Sequence, residues 1–450
     1  MAYQKAQLRR TTTTRVLMQR MVQGLAEMIY HPAKALILST YLLVCNHLWR
    51  ICHAMLNQAQ DHLLIEMYRD LYSVALVMLV SLGCIGFLVL FGTPPSAKAT
   101  HNALERIGFV NAAYEAPILL SRAHAKDHPR AMKLIFDPLG LPLCAWEDHR
   151  AEIEAGLNIS IISITLGKSK RRIEVLAVPA KGDLPTMIKW ENNFLPSSPS
   201  ELTLGEGYIG PIRVDLAKTP HILIGGSTGS GKSVLLKTLL VQAIQKKMRV
   251  FICDFKGGVD FPFPWKARCN LCLTEEDLIV ILRKLIKTLE LRKELFRDLG
   301  CANIDEYNRR TLISMDRIVF ACDELAEMLD KTGADKARKE RLAQIESMLS
   351  TIARQGRAFG IHLILATQRP DATILNGQIK NNCDCRICGR ADNVLSQIIL
   401  DSTDAAKMIP SNICGRFLMS DGTLFQGYWF DEEMLHETRL RSRCSVLDCP

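Results

Sequence analysis

The chain has 450 residues, enough for two or three folded units, and 48% of them are hydrophobic. This composition excludes a disordered or fibrous protein, and the formal net charge of +9 permits a polyanionic partner without requiring one. The 15 cysteines follow no regular spacing, which favours a reducing compartment over a disulfide framework.

Two apolar segments near the N-terminus predict membrane helices. Residues 71–92, LYSVALVMLVSLGCIGFLVLFG, carry no charge and are long enough to cross a bilayer. Residues 35–49, ALILSTYLLVCNHLW, are also uncharged but shorter, so a buried helix is the alternative for them. The first 34 residues contain six basic side chains and one acidic one, which places them in the cytoplasm. We therefore expect a first span from residue 35 to about 55, because two spans return the rest of the chain to the cytoplasm.

A cleaved signal peptide is the alternative to a first span, and the long polar lead before any apolar run argues against it. After a Thr-Pro-Pro-Ser linker, residues 145–178 predict one helix and two strands joined by the basic turn GKSKRR. We interpret this region as part of a small α+β adaptor domain.

From about residue 205 to 430, short apolar runs alternate with helical patterns. HILIGG, RVFICDF, RIVFACDE and IHLILATQ each end in small or polar residues, which is typical of a parallel sheet covered by helices on both faces. A long helix between the second and third runs has Thr274 as its N-cap and Gly300 beyond its last turn. Its basic face is either a nucleic-acid surface or merely solvated, and it carries Arg283, Lys284, Lys287, Arg292, Lys293 and Arg297.

A complete phosphate-binding loop (P-loop), GSTGSGKS, lies between the first of these strands and the helix that follows it. Its glycines let backbone N–H groups curl around a phosphate chain, and the following helix presents its positive N-terminal end. Lys232 is expected to reach the outer phosphates and Ser233 to ligate magnesium, so ATP and Mg²⁺ are the predicted cofactors. The loop consists of Gly226, Ser227, Thr228, Gly229, Ser230, Gly231, Lys232 and Ser233.

Acidic and polar residues follow two later strands. We expect Asp323 to hold magnesium through water and Glu324 to polarise the attacking water, although an acidic pair can also simply start a helix. Gln368, after the next strand, is either a sensor of the terminal phosphate or part of a polar turn that ends at Pro370.

Three segments carry a resemblance to a known family: GGSTGSGKSV, RIVFACDELAEM and GRAFGIHLILATQRPDATILNGQIKNN. They resemble the motor domain of FtsK/SpoIIIE-type DNA translocases over about residues 220–417. The resemblance implies a P-loop NTPase of the RecA-like class, assembled as a homo-hexameric ring that pumps DNA. It also implies an arginine that acts across the subunit boundary, and the family's arginine matches Arg386. Pairing of Arg386 within its own subunit is the alternative, with Arg357 and Arg369 as other candidates.

Two spans, a small adaptor and a bare motor look most similar to TcpA-type coupling proteins of conjugative elements. That resemblance implies a multi-pass protein of the cell membrane whose motor lies in the cytoplasm. Its partners would be a relaxase or relaxosome, whose bound DNA it delivers, and mating-channel proteins. A chromosome-segregation translocase and a protein-secretion ATPase are the alternatives.

The sequence thus predicts five regions: a basic cytoplasmic segment (1–34), a membrane region (35–92), a linker and adaptor domain (93–204), an α/β motor with a parallel sheet (205–430) and a tail (431–450). Two cysteine pairs have spacings that zinc accepts, Cys269 with Cys272 and Cys385 with Cys388, and Cys383 is nearby. Reduced core thiols are the interpretation that we favour, because a strand turns alternate side chains to opposite faces. His221 and His362 start strands and are interpreted as structural.

Overall fold

The computed structural model describes residues 2–57, 62–125, 131–180, 184–368, 377–432 and 435. The chain forms two compact units, Met1–Gly182 and Asp183–Pro450. The first contains the apolar helices and the adaptor domain, and the second contains the motor.

The first unit begins with three helices, α1 (Ala2–Tyr30), α2 (Pro32–Asn57) and α3 (His62–Phe91). The hydroxyl of Tyr41 on α2 donates to Leu79 O on α3 at 2.7 Å, and that of Tyr72 on α3 donates to Leu48 O at 3.3 Å, so α2 and α3 form an antiparallel hairpin. Helix α1 packs closely on α3, since a Cβ added to Gly24 would lie only 1.9 Å from Leu88 O. Glycines at helix contacts permit such close backbone approach.

Segments Pro32–Met55 and Met67–Phe91 are long and apolar enough to cross a membrane, and their apolar windows are only 6% and 0% buried. Both segments that the sequence predicts as spans are therefore helical, with apolar side chains facing outward. The structure adds α1, which the sequence pattern did not predict, because charged and polar residues interrupt its apolar positions.

The adaptor is a four-stranded antiparallel sheet in the order β1-β2-β4-β3, packed with three helices. The two predicted strands are β3 and β4, and the single predicted helix is divided at His149 into α5 and α6, whereas α4, β1 and β2 were not predicted. Trp146 and Phe136 are fully buried in its core, with ring centroids 5.1 Å apart. The elements are α4 (Ala97–Arg106), β1 (Ile118–His124), β2 (Met132–Asp137), α5 (Leu143–Asp148), α6 (Arg150–Leu157), β3 (Ile159–Leu166) and β4 (Ile173–Pro179).

The motor is built on one 11-stranded sheet within the described residues, in the order β10-β9-β11-β12-β8-β13-β14-β15-β6-β7, with β5 beside β15. The strands are β5 (Ile188–Lys189), β6 (Glu201–Gly207), β7 (Gly210–Asp215), β8 (Ile222–Gly225), β9 (Arg249–Cys253), β10 (Asn270–Cys272), β11 (Ile318–Cys322), β12 (Ile361–Thr367), β13 (Cys385–Cys388), β14 (Arg416–Met419) and β15 (Leu424–Trp429).

The sheet is mixed rather than wholly parallel, which corrects the prediction. Six neighbouring strands are parallel, as predicted: β10, β9, β11, β12, β8 and β13. The strands that continue the sheet, β14, β15, β6 and β7, pair antiparallel. Their hairpin connections contain no helix, so they lack the strand-helix alternation by which the parallel part was found. The predicted motor boundary at 204 falls inside β6, and the two units divide at Gly182 instead.

Helices cover both faces of the parallel part. Alternation along β8 turns Ile222 and Ile224 toward α7 and Leu223 toward the face covered by α9 and α12. The motor helices are α7 (Lys232–Gln245), α8 (Phe263–Lys266), α9 (Glu275–Asp298), α10 (Ile304–Arg310), α11 (Leu325–Leu329), α12 (Lys336–Gln355), α13 (Gly377–Asn382), α14 (Asn393–Leu400) and α15 (Asp404–Met408).

Helix α9 has the predicted ends. The Thr274 side chain accepts a hydrogen bond from Asp277 N at 3.1 Å, and Gly300 follows the helix with a φ of 62°. Arg292 does not belong to the basic face, however, because it is 7% exposed and donates to Phe359 O at 2.5 Å and Asp316 O at 2.7 Å. Its long stem lets an arginine in an apolar stripe reach backbone carbonyls, which a helical pattern does not reveal.

Candidate active site

Five parallel strands bring the predicted site residues to one edge of the sheet. Cys322 at the end of β11 pairs with Cys253 of β9 and Leu365 of β12, and Gly225 of β8 pairs with Thr367 of β12 and Cys388 of β13. Since parallel strands share a direction, the loops that follow them meet at their carboxyl ends. The P-loop, Asp323, Glu324 and Gln368 therefore lie together.

The P-loop is held by its neighbours on the far side from β12. Ser227 N donates to Arg390 O at 2.8 Å, and Gly415 N donates to Ser230 O at 2.9 Å. Gly231 has a φ of 97°, and a Cβ there would lie 2.9 Å from the backbone of Gly415, so only glycine fits both the conformation and the contact. The loop is thus fixed in shape by segments distant in sequence.

A buried ion pair lies at the start of α7. Lys232 Nζ donates to Asp323 Oδ1 at 3.0 Å and to Asp323 O at 2.5 Å, and Ser233 Oγ donates to the same carboxylate at 2.9 and 3.2 Å. Burial of Asp323 would raise its pKa, but the charge of Lys232 and the hydrogen bonds from Lys232 and Ser233 outweigh burial and lower it. Asp323 is therefore an ionised carboxylate at neutral pH.

These donors fit the predicted magnesium ion. An ionised carboxylate beside a hydroxyl, at the N-terminus of a helix that follows a P-loop, supplies the oxygen ligands that Mg²⁺ takes together with phosphates. Ser233 would hold the ion directly and Asp323 through water, as the sequence predicts.

A second lysine, which the sequence analysis did not identify, reaches the same carboxylate. Lys256 Nζ lies 3.5 Å from Asp323 Oδ2 and 3.1 Å from Asp260 Oδ2. Burial lowers the pKa of Lys256, but hydrogen bonding and the charges of Asp260 and Asp323 raise it to about 12. Lys256 follows β9 by three residues, so the polar end of that strand was the signal for it.

Glu324 and Gln368 join the loops after β11 and β12. The Glu324 carboxylate accepts from Thr367 Oγ1 at 2.8 Å and from Gln368 N at 3.0 Å. The Gln368 side chain in turn accepts from Thr228 Oγ1 of the P-loop at 2.9 Å. Gln368 thus contacts both the P-loop and Glu324. These contacts suit a sensor of the terminal phosphate, and a polar turn alone would not need them.

Arg386 makes its contacts within its own subunit. Its guanidinium pairs with Asp401 and donates to Ile399 O at 3.4 Å, and Lys380 also pairs with Asp401 at 2.6 Å. Hydrogen bonds from Lys380 and Arg386 lower the pKa of Asp401. This pairing matches the alternative for Arg386, and its action across a subunit boundary stays a prediction. Arg357 donates to Ala217 O at 3.1 Å, and Arg369 lies outside the described residues.

Arg390 contacts the P-loop instead, and sequence reasoning missed it. It donates to Thr228 O at 2.8 Å and to Ser411 O at 2.6 Å, and its own carbonyl accepts from Ser227 Oγ at 2.8 Å. It follows β13, the strand beside β8, and its position after a strand end was the available signal. The Arg390 side chain therefore links the P-loop to the segment before β14.

Neither cysteine pair suits zinc, and Cys269 and Cys272 pack against different cores. Cys385 and Cys388 pack into cores on opposite faces of the sheet, and burial raises the pKa of each thiol to about 12. No three metal-ligating side chains of the His, Cys, Asp and Glu types are grouped in the described ranges. His221 accepts from Leu363 N at 2.9 Å and His362 is bonded to Pro220 O at 3.1 Å, so both join strands.

Comparison with known proteins matches residues 187–372 to the FtsK/SpoIIIE family. The DNA translocase FtsK of Chlorobaculum tepidum is 34% identical over 243 residues, covering 50% of this chain and 28% of that protein. The DNA translocase SftA of Bacillus subtilis is 32% identical over 257 residues, covering 54% of this chain and 26% of that protein. The chain therefore spans about a quarter of the length of these curated relatives.

A solved structure matches over a greater share of its length. The pCW3 conjugation coupling protein TcpA, in a monomer form with ATPγS, is 36% identical with a TM-score of 0.57. The match covers 75% of this chain and 96% of that one, so it extends well beyond the motor core.

The Arg390 contacts predict a role in shaping the P-loop. Arg390→Met should weaken binding of a fluorescent ATP analogue about tenfold, because the P-loop loses the charged hydrogen bond to Thr228 O and with it the link to Ser411 O that holds the loop ready for phosphate. Arg249→Met is the matched control, since Arg249 lies at the opposite end of the sheet and is exposed. Equal affinity of Arg390→Met and the parent in equilibrium titration would contradict this role.

Proposed function

Since the chain belongs to the FtsK/SpoIIIE family of P-loop motors, we propose that it is a membrane-anchored ATPase that translocates DNA. We further propose that it serves as a conjugative coupling protein, which delivers relaxase-bound DNA to a mating channel. The observation that carries the ATPase proposal is the buried Asp323 carboxylate, which lies against Lys232 and Ser233 at the P-loop.

The proposed chemistry gives separate roles to five side chains. Lys232 leaves Asp323 and binds the outer phosphates of ATP, which offer it equivalent negative charge. Magnesium, when bound by Ser233 and Asp323, neutralises charge on these phosphates. Glu324 orients and polarises the attacking water, and Gln368 links that carboxylate to the P-loop, so that loss of the terminal phosphate changes contacts at both.

Coverage favours the conjugative role over chromosome segregation. The match to the coupling protein covers 75% of this chain at 36% identity, whereas the match to the translocase FtsK covers 50% of this chain at 34% identity. Helices α2 and α3 would anchor the protein in the cell membrane, with the motor in the cytoplasm. We propose that the working form is a homo-hexameric ring, in which Arg386 would have to release Asp401 before acting on a neighbouring subunit.

The basic surface of α9 is a proposed contact for the DNA backbone. Arg283, Lys287 and Arg297 are exposed on this helix. Because phosphate contacts release counterions, such a surface would bind DNA with strong salt dependence and little sequence preference.

The chemical roles predict different failures for two substitutions. Lys232→Ala should lose ATP binding, because it removes the charge that faces the phosphates. Glu324→Gln should bind ATP with near-parental affinity but hydrolyse it at least a hundredfold more slowly, because the amide cannot polarise water. Binding by titration and hydrolysis by phosphate release separate the two effects. Hydrolysis by Glu324→Gln at the parental rate would show that another group polarises the water.

DNA should stimulate the ATPase activity of the full chain in detergent or lipid. We expect stimulation to fall steeply between about 50 and 200 mM salt, since that is the range in which counterion release weakens phosphate binding by orders of magnitude. Single-stranded and double-stranded DNA of equal length identify the preferred form. An activity that neither DNA changes at any salt concentration would argue against translocation and for a protein substrate.

The cellular role can be separated genetically. Replacing the gene by its Lys232→Ala form should abolish transfer of the mobile element between cells and leave chromosome partition normal. Mating frequency and nucleoid position are measured in the same strains. A partition defect with normal transfer would support the chromosome-segregation alternative.

A further inference from the structure

Strands β9 and β11 bring two acidic side chains to the same level at the site. Cys253 pairs in register with Cys322, and Asp254 and Asp323 follow them. Neighbouring strands are about 4.8 Å apart, so the two aspartates leave the sheet side by side.

Both aspartates face the side of the sheet that α7 covers. Along β9, Val250 and Ile252 pack into the core beneath α7, and Asp254 continues this alternation. Asp323 contacts Lys232 and Ser233 of α7 directly. Asp254 therefore points toward the region where the P-loop helix begins.

Asp254 is buried with one oxygen unused. The residue is 3% exposed, and its Oδ1 accepts a hydrogen bond from Lys256 N at 3.0 Å. Its Oδ2 is buried and accepts no hydrogen bond from the part of the chain that the structure describes. A buried carboxylate oxygen without a donor is costly, and a bound cation or its water commonly completes it.

The neighbouring carboxylates are already occupied, which singles out Asp254. Glu324 accepts from Thr367 Oγ1 and Gln368 N, and Asp323 accepts from Lys232 and Ser233. When Lys232 turns to the phosphates, Lys256 is the remaining cation among the described residues beside Asp323 and Asp260, and Asp254 follows the strand next to that of Asp323. The excess of acidic groups then suits a divalent cation.

We propose that Asp254 is a positioning residue for magnesium: its free Oδ2 accepts hydrogen bonds from the hydration shell of the ion that Ser233 and Asp323 hold. This inference rests on the proposed ATPase function. Asp254 would contact the water molecules around the ion and not the ion itself. The hydrogen bond from Lys256 N to Asp254 Oδ1 orients the carboxylate.

Asp254→Asn tests the proposal, because asparagine can keep the hydrogen bond from Lys256 N while an amide replaces the free oxygen. The full chain in detergent is titrated with a fluorescent ATP analogue in EDTA and then with Mg²⁺. We expect unchanged affinity in EDTA and a Mg²⁺ requirement raised about 10–100-fold, as is typical when an outer-shell ligand is lost. Asp316→Asn is the matched control and should behave like the parent, because Asp316 is partly exposed and pairs with Arg249 at the opposite end of the strands from the site.

The outcomes separate this inference from the proposed function. If the parent itself binds no nucleotide, the ATPase proposal fails. If the parent binds and Asp254→Asn keeps the parental Mg²⁺ requirement, only the inference about Asp254 is wrong. Asp254→Asn should also unfold no earlier on heating than the parent without Mg²⁺, since it removes a buried oxygen that has no protein donor. Marked destabilisation would overturn the inference by showing that Oδ2 has a structural role.

Discussion

The Asp323 carboxylate holds the candidate site together, because the side chains of Lys232, Ser233 and Lys256 all meet at its two oxygens. Lys232 is 4% exposed, and a buried ammonium without its partner costs about 3–5 kcal/mol. Ser233 and Lys256 approach the same two oxygens from α7 and from the loop after β9. Phosphates and a divalent cation offer replacement charges to these groups, so the site can exchange partners on binding without leaving a charge buried alone.

The Asp323 carboxylate can contact the P-loop only because the carboxyl ends of neighbouring strands are aligned. The register of the parallel strands sets this alignment, and the antiparallel strands support the segment that packs against the P-loop. Gln426 on β15 donates to Cys414 O at 2.9 Å and accepts from Arg416 Nε at 3.0 Å, while Gly427 N donates to Gly415 O at 2.7 Å. The segment that contacts Gly231 is therefore supported by β15, which gives the antiparallel extension a direct part in shaping the phosphate site.

The first unit depends on a different interaction, the burial of apolar surface. Its α2–α3 hairpin exposes apolar side chains along both helices, and this exposure is unfavourable in water but favourable in the hydrocarbon core of a membrane. Its adaptor has its own core around Trp146 and its own antiparallel sheet. Within this unit Arg15 of α1 pairs with Asp137 of β2 at 3.0 Å, which ties the helical region to the adaptor by a partly buried ion pair.

The sequence alone determined the features that depend on neighbours along the chain. Local backbone chemistry and the spacing of apolar residues along the chain were enough to predict four features: the GSTGSGKS loop, the Thr274 cap, the apolar helices and the acidic pair after RIVFAC. Only the tertiary structure decided which loops meet. Arg390 and Lys256 join the site, and Arg386 turns to Asp401, because strands far apart in sequence lie side by side. Strand order and register place these side chains, and they arise from burial of whole faces, which no short stretch of sequence encodes.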